Sequence, residues 1–305
     1  MTCKLKADSL VDVPALLPLL TEAFQSGEAL ARRLGVSRAA VHKEARRLQA
    51  EGYPVEVSRQ GYRLSPGTPA PHLLTHPYPH SFHYLGRVGS TQDVLRDLVK
   101  AGAEEGSLVL AEIQEKGRGR RGRTWMSEPG KSLTFSLLLR PSLPLSGLGL
   151  LPLLAGVALA EAVGVGGLKW PNDLLSPDGR KMAGVLLEAE VQGEEVAFAL
   201  LGVGINVLAA PPGAAALSEW GLKSRREVLE RFLERFFALY PLLSDPEALL
   251  GRWRERNLTL GRRVRVETPR GLVEGMAEDV LPDGILLVGG VRVGAGDVEL
   301  VGGVP

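Results

Sequence analysis

Between residues 66 and 80 the chain carries five prolines, Pro66, Pro69, Pro71, Pro77 and Pro79. Each fixes its own φ and removes a backbone donor, so neither a regular helix nor a central strand can run through this stretch. The stretch therefore predicts an extended linker over 66–80 that separates a module over 1–65 from everything that follows. A length of 305 residues exceeds what one hydrophobic core usually serves, which agrees with such a division and leaves room for another.

Before the linker, residues 28–52 predict two short helices and a tight turn. ALARRL stops at Gly35, and Ser37 can cap a new helix from Arg38. In that second helix Val41, Ala45 and Leu48 recur at helical spacing and should face a core, whereas Arg38, His42, Lys43, Arg46 and Arg47 face solvent. YPVEV and GYRL then alternate around a Ser58-Arg59-Gln60-Gly61 turn, the hairpin wing of a winged helix-turn-helix. Over residues 28–63 eight Lys and Arg oppose four Glu, a net charge of +4, although the whole chain carries only +1. Nucleic-acid affinity must then be local to this module, with Ser37, Arg38, His42, Lys43, Arg46, Arg47 and Arg59 as candidate DNA contacts.

After the linker, helical and strand patterns alternate over 81–258, which predicts a mixed α/β sheet domain. STQDVLRDLVKAG is a helix opened by Ser90 or Thr91, and SLVLAEIQ a buried strand. GVLLEAEV and EVAFALLGVGINV form an antiparallel hairpin about Gln192-Gly193-Glu194, and Val228, Phe232 and Phe236 mark one face of a helix over 224–240. Residues 141–160 lack charge and have the length of a membrane span. Pro144, Pro152 and three glycines interrupt them, so a loop followed by a buried helix is the better reading. From residue 259, RVRVET and GILLVGGVRV between Pro-Arg-Gly and Pro-Asp-Gly turns predict a small β-barrel over 259–305. The fold class is α+β. Cys3 is the single cysteine, so no disulfide can close within the chain, and the acidic start, Asp8 and Asp12, argues against a signal peptide. Both point to the cytoplasm, with no membrane partner.

Three segments carry chemistry. KGRGRRGRTW, 116–125, sets Arg118, Arg120, Arg121 and Arg123 among glycines that let backbone approach a ligand, and guanidinium forks suit phosphate and carboxylate. It lacks the ending of a Walker loop and opens no clear helix as a Rossmann turn does. A solvated basic loop for nucleic acid is the alternative. LKWPNDLL, 168–175, brings Lys169, Asn172 and Asp173 to a turn, where they could meet a phosphate, a hydroxyl and hydrated Mg²⁺, or form only a polar turn. In RKMAG, 180–184, the Asp178-Gly179 turn delivers Lys181 to a strand start, as a solvated hairpin charge or aimed at a reacting phosphate.

Taken with STQD at 90–93 and GVGINV at 202–207, these segments stand in the order and spacing of biotin protein ligases. From about residue 16 onward the chain resembles the bifunctional members of that family, which are also biotin operon repressors. The resemblance implies a catalytic domain of the biotin/lipoate ligase type, a C-terminal SH3-like barrel that helps bind ATP and the carrier, and dimerisation through the central sheet. It also implies ATP-dependent formation of biotinyl-5'-AMP and transfer of biotin to a lysine of the biotin carboxyl carrier protein of acetyl-CoA carboxylase. By matching position, Ser90, Thr91, Gln92, Gln114, Gly119, Lys181 and Gly184 would contact biotin. Arg118 and Arg120 would close over its carboxylate and the adenylate phosphate, and with Lys181 would be catalytic. Arg123, Trp125, Lys169, Asn172, Asp173 and Asn206 would lie on the nucleotide side, with Mg²⁺ held mainly by ATP phosphates and Asp173 a candidate ligand. Trp125 is either a stacking wall for the ligand or a core residue. Family members usually have Asn where this chain has Gln92. Two other readings are a biotin-sensing transcription factor without catalysis and a lipoate-type ligase. The winged helix is either an operator-binding module or a structural remnant.

Overall fold

A computed structural model describes residues 14–193 and 195–301. Cys3, Asp8, Asp12 and Glu194 lie outside the described residues.

Helix α1 (Gly27–Leu34) starts where the Ser26 hydroxyl accepts from Ala29 N, and it ends at Gly35 in the left-handed conformation, φ 66°. Helix α2 (Arg38–Ala50) is capped in the same way by Ser37 and buries Val41, Ala45 and Leu48, the face its spacing predicts. Strands β1 (Val55–Ser58) and β2 (Gly61–Leu64) pair antiparallel as a wing. Residues 66–80 contain only a short 3-10 turn at Pro71–Leu73, as the prolines require, but they are not a free spacer. Residues 67–70 are buried. The Gly67 carbonyl accepts from Arg226 N at 2.8 Å, Gly67 N donates to Glu22 at 2.9 Å, and Arg226 pairs with Glu22 at 3.1 Å. Proline sets the dihedrals here; distant polar partners fix the segment in place.

The next elements are β3 (Phe82–Val88), α3 (Thr91–Lys100), β4 (Leu108–Gln114), β5 (Ser132–Leu139), α4 (Leu150–Val163), β6 (Gly167–Lys169), β7 (Asp173–Leu175), β8 (Lys181–Gln192), β9 (Glu195–Asn206), α5 (Arg225–Leu239) and α6 (Pro246–Arg254). Their seven strands lie in the order β3-β4-β5-β9-β8-β7-β6. The β3-α3-β4 unit is parallel and every other pairing is antiparallel. Period-two alternation sorts side chains between the faces. Leu108, Leu110, Leu137, Ala199 and Leu201 join the main core with α4 and α5, whereas Val109, Leu138 and Leu200 pack under Leu95 and Leu98 of α3. The uncharged stretch is a core helix. The segment Leu145–Val163 is apolar and long enough to cross a membrane by composition, yet 72% of it is buried inside the protein. Such a helix, apolar all round, needs cover on every side, and the sheet, α5 and α6 supply it.

Strands β10 (Arg263–Thr268), β11 (Gly271–Val280), β12 (Leu286–Val288), β13 (Val291–Val293) and β14 (Asp297–Leu300) form a five-stranded antiparallel sheet, β13-β12-β11-β10-β14. Its inner residues, such as Val264, Val266 and Val288, belong to the main core. The buried Trp170 fastens it to the central sheet, donating Nε1–H to the Gly284 carbonyl at 3.0 Å.

Candidate active site

Helix α3 covers only part of its sheet face. Beyond its N-terminus, GVGINV sends Gly202, Gly204 and Asn206 to that same face by strand alternation, and the register sets Gly184 beside Gly204. The glycines keep a floor clear of side chains. A Cβ on Gly204 would come within 2.3 Å of the Trp125 ring, and one on Gly184 within 2.9 Å of Lys181 Nζ. Above this floor lies a cavity of about 230 Å³. Its walls come from stretches far apart in sequence: Ser90 to Gln92 at the start of α3, the end of β4 with the loop that follows it, Phe135 and Ser136 of β5, the 172 turn, β8 with β9, and Pro211 with Ala214 beyond β9.

Ser90, Thr91, Gln92, Gln114, Arg118, Gly119, Arg120, Arg123, Trp125, Asn172, Lys181, Gly184 and Asn206 all line this cavity. Lys169 and Asp173 stand behind the lining, reaching it through Lys181: Lys181 Nζ lies 2.6 Å from Asp173 Oδ1 and Lys169 Nζ 3.8 Å from Asp173 Oδ2. At the other end Gln114 Oε1 accepts from Thr91 N at 2.9 Å and from the Thr91 hydroxyl at 3.1 Å. Gln92, 3% exposed, donates its amide to the carbonyls of Leu186 and Leu200 at 3.3 and 3.2 Å and packs over Gly202. The amide protons of Gln92 are thus committed to the sheet.

Trp125 lies over Gly204 beside Lys181, whose ammonium stands over Gly184 and is 5.6 Å from the ring centroid, within cation–π range. It walls the cavity, and among the described residues its buried Nε1 finds no partner; Asn206 Oδ1, also buried, has none there either. Buried polar atoms without partners are costly, and at a cavity wall they fit a ligand that supplies an acceptor to one and a donor to the other. Asn206 Nδ2 donates to the Lys181 carbonyl at 3.3 Å, which ties the two strand ends together.

The cations are largely partnered. Arg118 donates two bonds to Asp93, at 2.8 and 2.9 Å, and its Nε is 3.3 Å from Glu188. Arg123 pairs with Asp297 at 2.7 Å and Arg121 with Glu267 at 3.2 Å, so the loop is tethered to the C-terminal sheet. Arg120 differs: among the described residues it makes no ion pair and donates to Asn172 Oδ1 at 3.2 Å. Burial pushes its guanidinium below the ordinary value, against the pull of Asp297 and Asp173. Asp173, a candidate Mg²⁺ ligand from sequence, is ion-paired with Lys181 and lies 3.8 Å from Lys169, although its buried Oδ1 makes no hydrogen bond among the described residues, and no group of three His, Cys, Asp or Glu side chains forms among them. The residues present do not fit a divalent site built by the protein alone.

Sequence reasoning missed Met126, Ser136, Leu186, Gly202, Gly204, Pro211 and Ala214, which also line the cavity. Alternation within GVGINV could have joined Gly202 and Gly204 to Asn206; nothing local marked the others.

In the N-terminal module, the Ser37 hydroxyl is spent on Ala40 N at 3.1 Å and His42 Nδ1 lies 3.1 Å from the Tyr62 hydroxyl. Arg46 donates to Gln49, and Arg47 pairs with Glu44 at 2.6 Å and Glu51 at 2.9 Å. Arg38, Lys43 and Arg59 are exposed and make no ion pair among the described residues.

This fold and cavity define a class, and comparison with known proteins agrees. Residues 84–206 match the Biotin/lipoate A/B protein ligase family and residues 16–63 an HTH domain. The Bifunctional ligase/repressor BirA of Bacillus subtilis is 34% identical over 93% of this chain and 97% of its own length, and that of Escherichia coli 31% over 92% and 93%. Among solved structures, the biotin protein ligase of Aquifex aeolicus in complex with biotin and ATP is similar with a TM-score of 0.59 and 29% identity. That similarity covers 72% of this chain and 98% of that one. The chain belongs to the biotin protein ligase family, in its bifunctional form with an N-terminal helix-turn-helix repressor module.

Proposed function

We infer that the chain activates biotin with ATP and transfers it to a lysine of a biotin carboxyl carrier protein. One observation carries this reading: motifs up to about 115 residues apart, from Ser90 to Asn206, converge on a single cavity lined by Arg118, Arg120 and Lys181. Such a cavity gathers two anions that would otherwise repel. Biotin's carboxylate attacks the α-phosphate of ATP, pyrophosphate leaves, and cations already in position stabilise the charge that grows on the phosphorus oxygens. The Ser90, Thr91, Gln92 and Gln114 end is the biotin side. Asn172, Asn206, Trp125 and Arg123 form the nucleotide side, where the free Trp125 Nε1 and Asn206 Oδ1 supply a donor and an acceptor. Lys169 and Asp173 act there through Lys181. Mg²⁺ enters as the counter-ion of the ATP phosphates. A neutral lysine amine of the carrier then attacks the mixed anhydride and AMP leaves; closure of the 116–125 loop excludes water from the intermediate.

The module over 1–65 binds operator DNA as a repressor, the catalytic unit spans 81–258, and the unit over 259–305 supports it. The protein works in the cytoplasm as a homodimer joined at the central sheet. Incubation with ATP, Mg²⁺, biotin and a carrier domain should add one biotinyl group to the carrier, read by mass. Biotin binding without pyrophosphate release would instead favour a non-catalytic sensor, and activation of lipoate over biotin a lipoate-type ligase.

A further inference from the structure

Arg118 stands at the rim of the cavity, yet its guanidinium is turned to two carboxylates, Asp93 in the first turn of α3 and Glu188 on β8. N–H groups bonded to a carboxylate cannot at the same moment bond a substrate anion. Arg96, one turn after Asp93 on the same helix face, donates to Asp93 Oδ1 at 3.0 Å and also pairs with Glu188. That oxygen accepts from Arg118 as well, at 2.9 Å. Two acids thus share two arginines, and the set of four has no net charge.

We propose that Arg118 reaches substrate by partner exchange: its guanidinium leaves Asp93 and Glu188 for a carboxylate or phosphate oxygen of the bound ligand, and Arg96 stays as the counter-charge of both acids. Asp93, Glu188 and Arg96 are then positioning residues that act through Arg118. The proposal rests on the biotin and ATP reading of the cavity. The four side chains are between 29% and 48% exposed, so water and salt screen the bonds that must break. Without Arg96, departure of Arg118 would strand two neighbouring carboxylates without a cation, an arrangement that like-charge repulsion penalises. Hydrogen bonding from Arg118 first, and then the charges of Arg118 and Arg96, hold the Asp93 carboxyl below its usual range, so it stays ionised at neutral pH. A second cation of the lining is also paired: Lys181 with Asp173, and Lys169 stands behind that acid at 3.8 Å, so this set of three keeps a net charge of +1. With Arg118 and Lys181 paired at rest, Arg120 is the arginine of the lining that makes no ion pair among the described residues, and a ligand that contacts all three can open both pairs.

The test measures binding of biotin and, separately, of ATP by calorimetry for wild type, Arg96→Gln and Asp93→Asn/Arg96→Gln, each with Arg118 intact and as Arg118→Ala. Arg96→Gln should weaken binding about tenfold, because both acids then hold Arg118 alone. Adding Asp93→Asn should restore most of that loss, and with Arg118→Ala neither change should matter. Unchanged binding in Arg96→Gln, or the same loss with Arg118→Ala, overturns the exchange. Should Arg96→Gln lower the melting temperature by many degrees, Arg96→Lys serves in its place and should bind within about threefold of wild type. Pyrophosphate release by the wild type is recorded in parallel. Its absence counts against the ligase reading alone, since the exchange is read from binding.

Discussion

The loop over 116–125 and helix α2 are both rich in cations, but they treat them in opposite ways. In the loop Arg118, Arg121 and Arg123 each face a carboxylate, Asp93, Glu267 and Asp297. In the N-terminal module Arg38, Lys43 and Arg59 are exposed and make no ion pair among the described residues, whereas Arg32 pairs with Glu28, Arg47 with Glu44 and Glu51, and Arg63 with Glu56. The paired set suits a ligand that must displace specific partners and therefore be recognised at several points. The unpaired set suits a regular row of phosphates, where each contact adds a similar, salt-sensitive increment. Charge count alone would not have separated the two; partner identity does.

A third environment tests whether pairing by itself makes a cation dispensable. Arg225 and Glu112 are 2% and 1% exposed and lie 2.7 Å apart, with Tyr84 and Gly130 N also bonded to Glu112 at 2.6 and 2.9 Å. Arg225→Ala leaves Glu112 charged and buried, and stability should fall by about 3–5 kcal/mol in denaturant melts. The Tyr84 hydroxyl, whose pKa burial raises well above its ordinary value, cannot supply the missing charge. An unchanged midpoint would show that this buried pair behaves like the screened pairs of the loop. Next in size is Lys181→Ala. It removes a donor fixed between Trp125 and Asp173, and biotin-dependent pyrophosphate exchange should slow by about 10² to 10³ while the melting midpoint holds. A drop below tenfold would place Lys181 with the solvated charges of the surface.

What could be read from sequence follows the range of the forces involved. Ser26, Ser37 and Gly35 act within four residues of themselves, so both helices of the first module were legible to within a residue or two. The β8 and β9 hairpin was legible because a polar turn divides two long apolar runs. Strand β11 was not: only Ala277 and Val280 of GLVEGMAEDV are buried, so its alternation is faint. The chemical motifs were legible as residue types, which is why thirteen expected residues meet at one cavity. Their counter-charges were not, since Asp93 and Glu188 are 25 and 70 positions from Arg118 and only the fold brings them together. Asp173 shows the limit most plainly: its neighbours in sequence suggest a metal, whereas Lys181, eight positions on and one strand across, takes the carboxylate.

The smallest expected effects lie in the N-terminal module, and they sharpen the comparison most because they concern cations of equal formal charge on one helix. Arg38 and Arg47 are both exposed, but Arg47 already has two carboxylate partners and would have to give them up to meet a phosphate. In titrations of a two-fold symmetric operator duplex at several salt concentrations, Arg38→Ala and Lys43→Ala should each reduce the slope of log K against log salt by about one for every module bound. Arg47→Ala should leave the slope almost unchanged and weaken binding only slightly. Equal slopes for all three variants would mean that the Glu44 and Glu51 pairs dissolve on DNA at little cost, and that partner identity ceases to matter where the ligand is a long polyanion.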